Sequence, residues 1–168
     1  MKFYRLALMA LLFVTSTLKA QTPFEFNNIL VDITDSLYVR GQQWGHVFNE
    51  VNKSKEFSKL EKTRLNIERF CNEKVTDVSM MKDVGGSENL RKAMINYLLF
   101  EKDMITKAFL PLEQLPSTAT PTEIDSALNN LREFAAKENE MIALVNQAQS
   151  AYAKKNDFKL EEAPDGSN

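Results

Sequence analysis

Apolar residues recur at alternating spacings of four and three along most of the chain, and this pattern narrows the possible folds more than any other. The first such stripe has a single charged member among its positions: Phe26, Leu30, Ile33, Leu37, Arg40, Trp44, Val47 and Val51. A spacing near 3.5 residues places side chains on one face of an α-helix, whereas a strand repeats every second residue. The stripe therefore predicts a long amphipathic helix whose apolar face, including Trp44, is buried.

One four-residue pattern marks two helix starts. Thr22-Pro23-Phe24-Glu25 and Thr120-Pro121-Thr122-Glu123 each place Thr at the N-cap, Pro at the first helical position and Glu at the third. There the Thr and Glu side chains accept hydrogen bonds from free N–H groups of the first turn, and Pro loses none. We predict that helices begin at these two prolines.

Similar stripes predict a second and a third helix. The second spans about residues 54–82 and ends before the Gly85-Gly86 pair. The third begins after Ser87, which is placed to cap it. Because proline interrupts helical hydrogen bonding, we expect Pro111 to kink or end this helix and Pro116 to stop it.

The fourth predicted helix is the longest, at roughly Pro121 to Lys155. Short connections favour antiparallel neighbours, so the four helices predict an all-α, up-down-up-down antiparallel four-helix bundle over residues 21–160. Residues 161–168 are polar and are expected to form a flexible tail.

The first twenty residues have the features of a secretory signal peptide. Two basic residues, Lys2 and Arg5, precede an uninterrupted apolar run from Leu6 to Val14, and the segment ends on the small residue Ala20. The run is shorter than the roughly 20 apolar residues that span a membrane, so we predict cleavage near Ala20 rather than anchoring. The mature protein is then exported, to the periplasm or the cell surface, with no transmembrane span.

Composition excludes several classes of protein. One cysteine excludes a disulfide framework and Cys-based zinc or iron-sulfur sites, and one histidine excludes the paired Glu-x-x-His of di-iron bundles. A formal net charge of −2 without a block of Lys or Arg is untypical of nucleic-acid-binding proteins. We expect no metal, cofactor or nucleic-acid partner.

A resemblance extends over the mature chain. A Thr-Pro-capped first helix follows a signal peptide, and Val84-Gly85-Gly86-Ser87-Glu88-Asn89-Leu90-Arg91 leads into Leu98-Leu99-Phe100. In these features the chain resembles an uncharacterised family of exported bacterial surface proteins with four-helix bundles. The resemblance implies a fold and a location, and it implies no activity or functional residues.

Charged residues interrupt the apolar stripe once on each predicted helix: Arg40, Arg64, Glu101 and Glu138. Folding the helices back on one another brings the four to similar levels. They then line a polar pocket for a small charged ligand, form a closed ion-pair layer that fixes helix register, or extend from the bundle edge into water. They are the candidate binding residues.

Other residue types have structural and functional interpretations. Gly41 and Gly45 lie on one face of the first helix, and we expect them to allow close helix packing; the alternative is a groove that admits a ligand. His46 and Glu50 are expected to form an i,i+4 pair rather than a metal site. Cys71 is expected to be a buried apolar residue rather than a nucleophile.

The sequence thus favours a non-enzymatic, exported binding or interaction module for an unknown protein or small ligand. No catalytic residue is predicted. The alternative is a ferritin-like metal-binding protein or enzyme that uses carboxylates of the bundle core, such as Glu101 and Glu138.

Overall fold

A computed structural model describes residues 21–160 of the 168-residue chain. The predicted signal peptide, residues 1–20, and the predicted tail, residues 161–168, lie outside the described residues. All regular structure within residues 21–160 is helical, and the prediction of an all-α four-helix bundle is confirmed.

Four long helices pack in chain order, each against the next. Their bounds are α1 (Pro23–Ser54), α2 (Glu61–Met80), α3 (Glu88–Met104) and α4 (Pro121–Lys155). A 3-10 turn, Phe57–Leu60, leads into α2, so this helix begins later than expected. The predicted bounds of α4 are confirmed.

Both predicted Thr-Pro helix starts are confirmed. Thr22 Oγ1 accepts from the Glu25 N–H at 3.1 Å, and the Glu25 carboxylate accepts from the Thr22 N–H at 2.8 Å. Thr120 and Glu123 make the same reciprocal bonds at 3.3 and 2.7 Å. Each pair satisfies two donors that the first turn of a helix leaves free.

Ser87 directly precedes α3, but its side chain does not form the N-cap hydrogen bond that we expected. Its hydroxyl donates to Asp83 Oδ1 at 3.0 Å and accepts from the Val84 N–H at 3.2 Å. The side chain therefore ties together the loop that contains Gly85 and Gly86, both of which have positive φ. That loop turns the chain from α2 into α3.

Pro111 does not end the helical path of the chain; a wide helical turn lies just before it, and the chain stays helical for one further turn. A π-helical turn, Ile105–Phe109, joins α3 to one further helical turn, Leu110–Glu113. Since proline has no N–H, Pro111 does not bond to the carbonyl of Lys107, four residues earlier. Asn130 Nδ2 of α4 donates to that carbonyl instead. This bond attaches α4 to the end of α3.

The apolar stripes meet in one core, and Trp44 is buried in it as predicted. At one end of the bundle α1 and α4 are in contact. The rings of Phe26 and Tyr152 lie 5.9 Å apart, and Gln149 Nε2 donates to Asn27 Oδ1 at 3.4 Å. The Tyr152 hydroxyl donates to the Val84 carbonyl at 2.8 Å, which fixes the α2–α3 loop against α4.

Farther along, α1 and α4 diverge. Every residue of α4 between Ile124 and Val145 stays at least partly exposed, although the stripe of this helix continues through Leu131, Glu138 and Ile142. The bundle is therefore closed at one end of the α1–α4 seam and open along its middle. None of the helices in residues 21–160 has the length and apolarity needed to cross a membrane.

Candidate functional site

The open part of the α1–α4 seam is a cleft of about 700 Å³. Helix α1 forms one wall and α4 the other, and Tyr97, Glu101 and Met104 of α3 line it between them. Ile67 of α2 and Phe109 of the π-helical turn also contribute to the lining. All four long helices thus position side chains around one space.

Two glycines explain why α1 does not fill this space. A Cβ atom built at Gly41 or Gly45 would meet no neighbouring group within 4 Å. Ala135, a small residue, lines the opposite wall. The expectation that these glycines allow close helix packing is wrong, and the groove considered as the alternative is the arrangement found.

Two carboxyl groups of the cleft interact closely. Glu101 is 3% exposed. Desolvation, together with the charge of Glu138, raises the pKa of Glu101 to about 8. Desolvation also raises the pKa of Glu138, and hydrogen bonding with Glu101 and Tyr97 partly opposes that rise. Because the half-buried Glu138 carboxylate and the buried Glu101 carboxylate repel each other, the pair retains a proton at neutral pH.

Two polar atoms of the site lack hydrogen-bond partners among the described residues: Glu101 Oε1 and Trp44 Nε1. A proton held between the carboxyls of Glu101 and Glu138 would satisfy the first. The Trp44 indole is 4% exposed and stacks on Phe109 with ring centroids 4.0 Å apart. Its N–H donor is left without an acceptor inside residues 21–160.

The formal charges on the cleft lining are all negative. Asp35, Glu101 and Glu138 are the ionisable acids among the described lining residues, and no Lys, Arg or His is found in that set. Burial, followed by the charges of Glu101 and Glu138, raises the pKa of Tyr97, so its hydroxyl stays protonated. The cleft combines apolar walls with a small acidic centre.

Arg64, one of the four predicted site residues, lies outside this cleft. Its Nε donates to Glu113 Oε2 at 2.5 Å, and its Nη1 donates to Glu68 Oε2 at 2.8 Å. The bond to Glu113 raises the pKa of Arg64. The sequence pattern did not single out Glu113, because this residue follows Pro111 and the predicted helix was not certain to continue past it.

Arg40 is also occupied elsewhere. Its guanidinium lies 4.1 Å from the centroid of the Phe70 ring, and its Nη1 donates to the Ser36 carbonyl at 2.8 Å. A second hydrogen bond runs from Arg40 Nε to Asn66 Oδ1 at 3.3 Å. The structure therefore brings Glu101 and Glu138 together, and the four candidate residues do not form a single ion-pair layer.

The remaining candidates have structural roles. His46 Nε2 lies 3.4 Å from Glu50 Oε1, and both side chains are exposed, so the expected surface pair is confirmed. Cys71 is buried as expected, and desolvation raises the pKa of its thiol to about 12. In the described part of the chain, no group of three or more His, Cys, Asp or Glu side chains is placed to hold a metal ion.

Loss of the carboxylate of Glu113 should destabilise the protein more than loss of the carboxylate of Glu68. Both bind Arg64, but the Glu113 side chain is 12% exposed and the Glu68 side chain 39%. Removing one partner of a buried ion pair leaves the other charge buried and uncompensated. We therefore expect Glu113→Leu to lower the free energy of unfolding by about 3 kcal/mol. Glu68→Leu should cost no more than about 1 kcal/mol. Urea denaturation measures both, and equal losses would contradict the assignment of Glu113 as the main partner.

The carboxyl pair should make stability fall as pH rises. The pKa of Glu101 is raised to about 8 in the folded protein, whereas an unfolded Glu titrates near 4.3. Its contribution is therefore complete below about pH 4.3 and is lost as pH rises towards 8. In urea denaturation at pH values from about 5 to 8, Glu101→Gln should remove most of this decline. Glu140→Gln, at an exposed position of α4, should retain it; a wild-type stability that rises over this range would contradict the assignment.

Comparison with known proteins gives no further assignment. No protein-family model, curated protein or solved structure matches the chain. The resemblance to exported bacterial four-helix proteins stays a prediction.

Proposed function

We propose that the protein is a non-enzymatic binding module that takes a small, largely apolar ligand into the cleft between α1 and α4. One observation carries this proposal: within residues 21–160 the buried Trp44 Nε1 has no acceptor, and Trp44 lines the same open cleft as the carboxyl pair of Glu101 and Glu138. A ligand with an apolar body and a hydrogen-bonding group suits this combination.

The size and lining of the cleft support a ligand of this kind. Small-molecule sites in proteins usually measure about 300 to 1,000 Å³ and combine apolar walls with a few polar groups. This cleft, at about 700 Å³, has Leu37, Ile142 and Val145 among its apolar lining residues. Its polar lining residues include the carboxyl pair of Glu101 and Glu138, which would orient the ligand.

The energetics of the unliganded fold point in the same direction. An unpaired buried donor costs about 1 to 3 kcal/mol. Each glycine inside a helix costs about 1 kcal/mol relative to alanine, and neither Gly41 nor Gly45 gains packing in return. A ligand that fills the cleft and supplies an acceptor to Trp44 would offset part of these costs.

The proposed binding takes place outside the cytoplasm. Support for this location comes from the sequence of residues 1–20, where Lys2 and Arg5 accompany a short apolar run that ends near Ala20. Such a protein would hold its ligand in the periplasm or at the cell surface.

Filling the cleft from α1 should weaken ligand binding without unfolding the protein. Leucine at Gly41 would extend into open space, and it favours helix by nearly 1 kcal/mol over glycine. The probe is N-phenyl-1-naphthylamine, a neutral apolar amine whose fluorescence rises when it leaves water. We expect Gly41→Leu to weaken probe binding at least about tenfold, equivalent to 1.4 kcal/mol, with no loss of stability in urea denaturation.

A matched control is Gln43→Leu, at an exposed position of α1 outside the cleft. It adds the same apolar side chain and should leave probe binding unchanged. Failure of the wild-type protein to bind the probe, or equal binding by Gly41→Leu, would refute the assignment of this cleft.

The proposed location has a separate test. We expect the protein isolated from its own host to begin at or near Gln21 and to be found outside the cytoplasm. N-terminal sequencing of the fractionated protein measures this. Recovery of an intact Met1 in the cytosol would overturn the proposal of export and leave that of binding untouched.

A further inference from the structure

The charge distribution of the cleft narrows the class of ligand. Asp35 of α1, Glu101 of α3 and Glu138 of α4 present carboxyl groups from three helices, and the described lining contains no basic side chain. A buried carboxylate needs a compensating cation or a proton. The site as described therefore lacks a positive partner for its own acids.

We propose that the cleft binds an organic ammonium ion with an apolar body, and that its nitrogen lies between the carboxylates of Glu101 and Glu138. This inference rests on the proposed function, because it assumes that the cleft is a ligand site. It goes further by assigning the charge and the hydrogen-bonding chemistry of the ligand.

The neighbouring helices supply charges that have partners of their own. The titratable groups that line the cleft with Glu101 are Asp35 and Tyr38 of α1, Tyr97 of α3 and Glu138 of α4. On α2, the Cys71 thiol interacts electrostatically with Glu101, and also with Arg40, Glu68 and Lys102. Arg40 lies over Phe70, and Arg64 is bound to Glu113 and Glu68. The strongest electrostatic effect on Glu101 comes from Glu138, a like charge. A bound ammonium would supply the missing cation.

An ammonium group would replace the proton that the pair retains. In the free protein one proton serves Glu101 and Glu138 together, since burial raises the pKa of both groups. On binding, the ammonium N–H groups donate to both carboxylates and that proton leaves to solvent. Charge is conserved, because one cation enters as one proton departs. Neutral and anionic head groups do not make this exchange.

The Trp44 N–H adds a second point of recognition. It is a donor without an acceptor in the described structure, and an ammonium group does not accept hydrogen bonds. A ligand that also carries an ether, hydroxyl or carbonyl oxygen would satisfy it. The simplest amines should therefore bind through the carboxyl pair alone, with less than the full affinity.

The test compares three probes with the same eight-carbon chain: octylammonium, octanol and octanoate. We expect octylammonium to bind at least about tenfold more tightly than octanol, and octanoate to bind most weakly. Isothermal titration calorimetry in buffers of different ionisation enthalpy should detect release of about one proton per octylammonium below the pKa of the pair. The affinity for octylammonium should rise with pH, by close to tenfold per pH unit, between about pH 6 and pH 8.

Isosteric variants identify the groups responsible. Glu101→Gln combined with Glu138→Gln should reduce octylammonium affinity to that of octanol and abolish proton release, with octanol binding retained. Glu140→Gln removes one exposed acidic charge from α4 and should change neither. Amide side chains match the protonated carboxyls in size, and urea denaturation verifies that the double variant is folded.

The outcomes separate this inference from the proposed function. If octanol binds as tightly as octylammonium and no proton is released, the ammonium assignment is overturned while the cleft remains a binding site. If none of the three probes binds to the wild-type protein, while N-phenyl-1-naphthylamine binds in a way that depends on Gly41, the ammonium assignment also fails. If neither this set nor the naphthylamine binds, both proposals fail.

Discussion

The contact between Phe26 and Tyr152 holds α1 against α4, and the geometry of the cleft depends on it. The same tyrosine donates to the Val84 carbonyl, and Asn156 Nδ2 donates to the Gly85 carbonyl at 3.2 Å. These bonds attach the end of α4 to the α2–α3 loop. At the opposite end, Asn130 attaches the same helix to the π-helical turn that follows α3. Contacts near both of its ends thus hold helix α4 in place, and between those contacts α4 is separated from α1 by the cleft.

The carboxyl pair is an energetically costly feature of that gap. Glu101 and Glu138 are desolvated together, and two like charges in a poorly solvated space do not both ionise at neutral pH. If the two residues had no ligand to bind, replacing them with apolar residues would make the fold more stable. Buried polar groups stabilise a structure only when they are fully hydrogen-bonded. Their position beside an open cleft, and beside the unpaired indole N–H of Trp44, is what gives them a recognition role in our proposal.

The arginines show how rotation about a helix axis changes a prediction made from level alone. The folded-back sequence placed Arg40 and Arg64 at levels similar to those of the two glutamates. Arg64 instead reaches Glu113, which follows the π-helical turn, and Arg40 stacks on Phe70. A wide helical turn shifts the angular position of the residues after it, and spacing along the chain does not reveal that shift.

The helix starts and stripes are local properties, and they were readable from the chain. Thr22 and Thr120 form their capping bonds with a residue three positions later. The same short sequence therefore starts a helix at both places in the chain. Leu37 and Trp44 could be assigned to a buried face because helical periodicity determines which side chains share a face. Glu101 and Glu138 could be singled out because each interrupts an apolar stripe.

Their partnership, and the space beside them, could not be read in this way. Whether Gly41 and Gly45 bring helices together or leave a groove depends on the distance between α1 and α4, which contacts far from both glycines determine. The pairing of Glu101 with Glu138 likewise depends on the rotation of α3 against α4. Hydrogen bonds between residues near in sequence specify each helix, whereas the cleft arises from the packing of helices whose relevant residues lie many positions apart.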